Sequence, residues 1–264
     1  MMTMMNRVGF LIVMIWPHVT LAGPLSVDRL SVDEMTTQFE KVVFGSEFQG
    51  FTALSRVNKW RGPLRVEVRS YQEIRDVNGA GQTVLKLEQV GVEPRHLSHI
   101  QHNLNVLAGL TGLHTENVLQ TGSPANFQIK IVPRSQLANP QLADVDPKLL
   151  RKLASQGGCY FLIWHDDTAG LIEKTVIVAN SDRTNVRMAH CLLEEMTQSL
   201  GFPNDVDLPV PSIFSNNAQI VELTRADQIL IKTLYNPALR PAMKRTDAVK
   251  LARTIIRELD RWMP

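Results

Sequence analysis

Residues 191–205 read CLLEEMTQSLGFPND, and the way this stretch folds decides the reading of the whole chain. Val186, Ala189, Leu193, Met196 and Leu200 recur at helical spacing and predict one buried arc on a helix from about Asp182 to Leu200. Arg187, His190, Cys191, Glu194 and Gln198 gather on a second arc of the same helix. Gly201 follows the last apolar position, where a left-handed C-terminal cap is expected. Pro203-Asn204-Asp205 then reads as a turn.

Outward from this helix the chain alternates elements of both kinds. CYFLIW at 159–164 and TVIVA at 175–179 are apolar runs of strand length, separated by a turn-rich stretch. LRVEVRS at 64–70 and FQIKIVP at 127–133 alternate apolar and polar residues, as half-buried strands do. Ser31-Val32-Asp33-Glu34 is a capping box that opens a helix with Met35, Phe39, Val42 and Val43 on one face, ending at Gly45. Pro94 opens another, with Leu97, Ile100, Leu104 and Leu107 as its expected buried stripe. PKLLRKLA at 147–154 is a short helical piece inside a long excursion. Two helices close the chain: one from Thr224 to Tyr235 behind a Thr-x-x-Asp cap, one from Thr246 with Ala248, Leu251, Ala252, Ile255, Leu259 and Trp262 facing inward. The order predicts an α+β domain, a small twisted mixed sheet backed by helices.

Composition bounds the function. The chain has 264 residues, 44% hydrophobic and 20% charged, enough for one domain with a true core. Twenty-eight basic residues against 26 acidic ones leave no basic excess with which to neutralise phosphates, so a nucleic-acid partner is not expected. At the N-terminus MMTMMNR precedes the apolar run VGFLIVMIW and a small-residue end at Thr20-Leu21-Ala22, the layout of a secretory signal peptide over 1–22. The run falls short of the ~20 apolar residues of a membrane span, so no stable span is expected after cleavage. Leu21-Ala22-Gly23 resembles the start of a lipoprotein box, but Pro24 stands where the lipid-bearing cysteine belongs. An exported chain, periplasmic or secreted, is therefore expected. In an oxidising compartment its two cysteines, Cys159 and Cys191, most simply form one disulfide. Residues 23–58 read as an N-terminal helical segment ahead of a main domain at 59–264.

The frame of the long helix carries a resemblance. Laid on Leu200-Gly201, residues 194–204 follow E-E-x-x-Q-x-x-G-x-x-N, which is similar to the H-E-x-x-H-x-x-G-x-x-H of metzincin zinc peptidases. PSIFSN at 211–216 lies where that family has its methionine turn, and LTRADQILIKTLY at 223–235 resembles its final helix. The region from Leu64 to Tyr235 thus resembles a zincin-like domain of the matrixin sort. The resemblance puts Glu194, Gln198 and Asn204 at the three ligand positions, Glu195 at the general-base position and Gly201 at the structural turn. No histidine stands at any of these. Side-chain amides are weak donors where zinc favours imidazole and thiolate, so the ligand positions are expected to be degenerate, with no cofactor. The C-terminal half also resembles a family of uncharacterised bacterial envelope proteins, often described as lipoproteins.

The resulting expectation is an inactive metallopeptidase-like domain that binds a peptide or an envelope protein in a groove along a sheet edge. Two alternatives remain: a hydrolase using Glu194 and Glu195 with zinc or another divalent cation, and a structural envelope-assembly factor. Other clusters read as structural. His190 shares a face with Glu194 but is expected to be packed or hydrogen-bonded. His96, His99 and His102 drift around their helix and are expected at the surface. His165-Asp166-Asp167 is expected to form a hairpin turn.

Overall fold

Phe127–Val132 and Leu171–Asn180 are buried along most of their length, the signature of strands covered on both faces, and they lie inside the sheet. The computed structural model describes residues 30–45, 54–155, 158–206, 210–215 and 218–263. The expected signal peptide and lipobox-like stretch lie outside the described residues. Among these residues the chain forms seven helices and a six-stranded mixed sheet, an α+β fold. The strands are β1 (Leu64–Val77), β2 (Thr83–Val90), β3 (Thr115–Asn117), β4 (Phe127–Val132), β5 (Cys159–Asp166) and β6 (Leu171–Asn180). They run in the order β2-β1-β4-β6-β5. β1, β4 and β6 are parallel, while β2 and β5 join antiparallel at the two ends. The short β3 runs parallel to the start of β1, on the side away from β4.

Each face of the sheet has its own cover. One face carries Phe127, Ile129, Ile131, Ile177 and Ala179 into the main core. There they meet α1 (Val32–Phe44), α2 (Pro94–Thr111), α5 (Asn185–Gln198), α6 (Arg225–Leu234) and α7 (Arg245–Trp262). The other face presents Val132, Val176 and Val178 to a second cluster formed by Leu137, Leu142, Leu150 and Leu153. These come from the 134–154 excursion and its helix α4 (Pro147–Ala154), whose apolar side explains why a sequence of modest length sends so many residues out and back. Tyr160 joins the same cluster and donates its hydroxyl to the Leu137 carbonyl at 2.7 Å. α3 (Val118–Thr121) is a single turn.

α1 belongs to the main core. Met35, Phe39, Val42, Val43 and Phe44 are all buried in it, and the helix packs on α7. Its capping box forms as expected, with the Glu34 carboxylate accepting from the Ser31 amide at 2.8 Å. Beyond it, residues 57–60 thread between α5 and the start of β6. The Lys59 amide donates to the Gly170 carbonyl, and the Lys59 carbonyl accepts from Ile172. The Lys59 ammonium is buried at the end of α6, donating to the carbonyl of Leu234, its last residue, at 2.8 Å and to that of Leu239 in the following loop at 2.6 Å; burial lowers its pKa to about 8.

Several sequence expectations are corrected. TVLKLEQV at 83–90, passed over as a strand, pairs with the outer half of β1 as a long hairpin. In α2 the buried stripe is His96, Ile100, Asn103, Leu104 and Leu107, so His96 is not a surface residue, whereas Leu97 is 44% exposed. The helix rolls toward α5, where the Asn103 amide meets the Met196 sulfur. Val186 and Trp262 are exposed, because α5 enters the core only at Met188 and α7 overruns it at its last turn.

Cys159 and Cys191 form the expected disulfide, with Cα atoms 6.1 Å apart and a sequence separation of 32. The bridge ties the first residue of β5 to the core side of α5, where Cys191 is fully buried. Closing a loop of this size restricts the unfolded chain. The Cys159→Ala/Cys191→Ala variant is expected to lose about 3 kcal/mol of unfolding free energy, read from urea melts against the oxidised protein. A loss within error of zero would mean that packing alone holds β5 on α5.

Candidate functional site

α5 ends where the sequence requires an end. Gly201 has φ +115°, a region open to glycine, and a Cβ there would come within 2.4 Å of the Asn58 carbonyl oxygen. The last carbonyls of the helix are then taken by side chains from elsewhere: the Trp60 indole donates to Ser199 at 3.0 Å and the Tyr235 hydroxyl to Leu200 at 2.8 Å. Burial raises the Tyr235 pKa, so the hydroxyl keeps its proton. The chain reverses and lays Phe202, fully buried, against Phe214 with ring centroids 5.0 Å apart.

The reversal sends the three candidate ligand positions to different partners. Glu194 sits with its carboxylate 3.4 Å from His190 Nε2. Gln198, 2% exposed, donates its amide to the Asp205 carboxylate. Asn204 donates to the Lys41 carbonyl at 3.1 Å, in the last turn of α1. That contact needs Gly45, since a Cβ at that position would stand 2.4 Å from the Asn204 amide. Glu195 is buried at 6% exposure. Among the described residues, no three His, Cys, Asp or Glu side chains come together in a group suited to a metal ion.

His190 is packed and hydrogen-bonded. It is 7% exposed, and its Nδ1–H donates to the Ile220 carbonyl at 2.8 Å. In the neutral ring Nε2 therefore carries a lone pair facing Glu194, and that contact shares a proton only after one of the two groups is protonated. Burial lowers the His190 pKa, and Arg183 adds to the effect, while the bond to Ile220 opposes it. Of His165-Asp166-Asp167, expected as a hairpin turn, the first two close β5 in pairing with β6 and only Asp167 enters the turn, which Asp166 Oδ1 caps by accepting from the Thr168 and Ala169 amides at 2.7 and 3.0 Å.

Asp227 is a residue the sequence reading left as a mere cap. It is fully buried, accepts from the Thr224 amide at 2.9 Å, and also takes the Ser212 hydroxyl at 2.6 Å and the Ile213 amide at 3.2 Å. Burial raises its pKa against those hydrogen bonds, which lower it. One carboxylate thus fixes both the start of α6 and the 211–215 turn. Gln38 of α1 reaches the same cluster, donating to Ser212 at 3.2 Å. The Thr-x-x-Asp spacing was the available signal; the reach to Ser212 had none.

A groove with a largely apolar lining drawn from several elements runs along β5. Phe161, Leu162, Ile163, Trp164 and His165 line it, with Val145, Leu149 and Leu153 on one side and Gly45, Gly201 and Pro203 on the other. Its volume is about 280 Å³. β5 is the last strand of the sheet, and among the described residues no strand pairs with its outer edge. The direction of its polar groups follows from its neighbour. The Thr175 amide donates to Asn126 beside β4, so Thr175 turns its backbone away from β5. Its cross-strand partner is Ile163. In an antiparallel pair both residues of such a pairing face outward, and the pattern repeats every second residue. The N–H and C=O of Ile163 and Phe161 therefore point to the open edge. The sequence showed β5 as an apolar run but could not show that it is an edge.

Two outcomes test these local readings. Gly201→Ala is expected to destabilise by about 1–3 kcal/mol or more, since a strained φ and a backbone clash coincide, and a urea midpoint unchanged from the parent protein would refute that. For His190 the folded pKa lies below the ~6.5 of an exposed imidazole, so the unfolded chain takes up its proton first as pH falls. Stability is then lost as pH drops below about 6.5. His190→Gln is expected to flatten the slope of unfolding free energy between pH 7 and 5, leaving the part due to buried His96, whose pKa burial also lowers. An unchanged slope would show that His190 titrates alike in both states.

Comparison with curated proteins returned no match. A family model described as "Protein of unknown function (DUF2927)" matches residues 32–254, from the first residue of α1 into α7. The match spans every strand of the sheet and the groove along β5, and the chain belongs to that family.

Proposed function

We propose that this is an exported, zincin-like domain that has lost its metal chemistry and holds an extended peptide, free or as a segment of an envelope protein, along the outer edge of β5 without cutting it. The observation that carries the reading is the edge itself: outward N–H and C=O groups at Phe161 and Ile163, set in an apolar groove beside the end of α5. Strand addition uses such groups for affinity and the flanking pockets for choice of side chain.

The donor chemistry at the resembling frame supports the absence of catalysis. Two of the three positions are amides, one held by Asp205 and the other by a carbonyl of α1, and this set does not fit zinc. No hydrolytic step is drawn through them. The disulfide supports passage through an oxidising compartment, periplasmic or extracellular.

Selection of a random peptide library on the purified protein, followed by the Ile163→Pro variant, tests the proposal. Proline there removes one outward N–H and leaves the β6 ladder intact. Enriched peptides are expected to bind the variant about ten-fold or more weakly and to be recovered uncut by mass spectrometry. Equal binding to both proteins would remove β5 from the account. Cleavage that depends on a tightly held zinc, lost with the metal in Glu194→Ala, would replace the proposal with a hydrolase built on Glu194 and Glu195.

A further inference from the structure

The two walls of the groove say which peptide it takes, an inference that rests on the proposed strand addition at β5. Side chains of β5 alternate between the two faces of the sheet. Leu162 and Trp164 pack with the cluster under α4, while Phe161 and Ile163 pack with the main core. A strand added at the edge continues the pleat, so its own side chains also alternate between those two sides. On the first side they meet Val145, Leu149 and Leu153 beside Leu162 and Trp164. On the second they meet Gly45, Gly201 and Pro203 beside Phe161 and Ile163. Both sides of the edge are therefore lined largely by apolar atoms, where an ordinary antiparallel edge is polar on one face.

We infer that the ligand is an uninterrupted apolar run, the pattern of a strand buried on both faces, rather than the alternating pattern of an amphipathic strand. Five consecutive residues of β5 line the groove, a span of about 16 Å at the usual rise, so the run is about five residues long. The glycines on the second wall leave room there. Gly201 is excluded from larger residues by its φ, and Gly45 by the Asn204 amide. At the far end, His165 Nδ1 lies 3.2 Å from the Asn58 amide nitrogen and 3.1 Å from the Asp167 carboxylate, a polar setting that marks where the apolar lining stops and polar residues of the ligand begin. Such runs are exposed in proteins only before they fold or assemble, so the partner class is an unfolded or unassembled chain presenting a core strand.

Four acetylated, amidated peptides of equal length test this on the unmodified protein, each with a central block of five residues between lysines. One carries only valine and isoleucine in the block, two alternate these with serine in opposite phases, and one has serine throughout. Fluorescence anisotropy is expected to show the continuous peptide binding at least about ten-fold more tightly than either alternating one, because each phase leaves one wall facing serine. The Leu149→Glu variant is expected to weaken the continuous peptide and to leave one alternating phase nearly unaffected. If either alternating peptide matches the continuous one, the inference fails while strand addition survives. If no peptide binds, or if only a fatty acid such as dodecanoate does, strand addition at β5 fails and takes the inference with it.

Discussion

The path of the chain past α5 depends on a main-chain contact that a side chain would forbid. The carbonyl of Asn58 lies where the Cβ of any other residue at position 201 would be, and the same turn needs a φ of +115°. Because residues 57–60 fill that space, the indole of Trp60 reaches the C-cap of α5 and Lys59 reaches the last carbonyl of α6 and the loop that follows it. The same residues lie alongside the start of β6, so one short segment joins two helix ends and the sheet. The groove inherits its geometry from this, since Asn58, Gly201 and Pro203 are all in its lining.

What could be read from the residues follows the range of the interaction involved. The Ser31–Glu34 and Thr224–Asp227 caps are local and were legible, as were the glycine at the end of α5 and the β5–β6 turn at Asp166. Periodicity fixed which segments are helices but not their roll. In α2 both Leu97 and His96 fit a stripe through Ile100 and Leu104, and the neighbouring α5 selects His96. Trp262 continues the apolar pattern of α7 past the point where a core is left to bury it. β2 was missed because its apolar residues pack only partly, leaning on β1 rather than on a covered core.

For the site, the sequence marked the turn at Gly201 but carried no sign of the groove along β5. The resemblance drew attention to Glu194, Gln198 and Asn204, and each is found engaged by a protein group. The His190–Glu194 pair follows from its four-residue spacing, but the other two engagements cannot be read that way, since they depend on Lys41 and Asp205 arriving from outside the helix. The same holds for Asp227, where four chain segments meet: α1 through Gln38, the 211–215 turn, the cap at Thr224 and α6 itself. A buried carboxylate with that many donors specifies one arrangement of the turn, because leaving any donor unpaired in the core costs about 1–3 kcal/mol. The turns around Glu194, Gln198 and Asn204 are thus held by polar contacts within the protein.

An apolar strand at the end of a sheet is a liability, because its outward polar groups invite any extended chain. This protein limits the exposure without removing it. α4 leans over one side with Leu149 and Leu153, while its outer face carries exposed Lys148, Arg151 and Lys152. A register shift between Trp164 and His165 ends the regular pairing, and two exposed aspartates follow at once. Charges of opposite sign therefore flank an edge only a few residues long, which discourages stacking of sheet on sheet and is compatible with the proposed addition of a single short strand. A strand kept apolar on both sides and guarded only at its margins is more economically explained as a docking edge than as a boundary, since a boundary would gain from a lysine or proline at Ile163 and has neither.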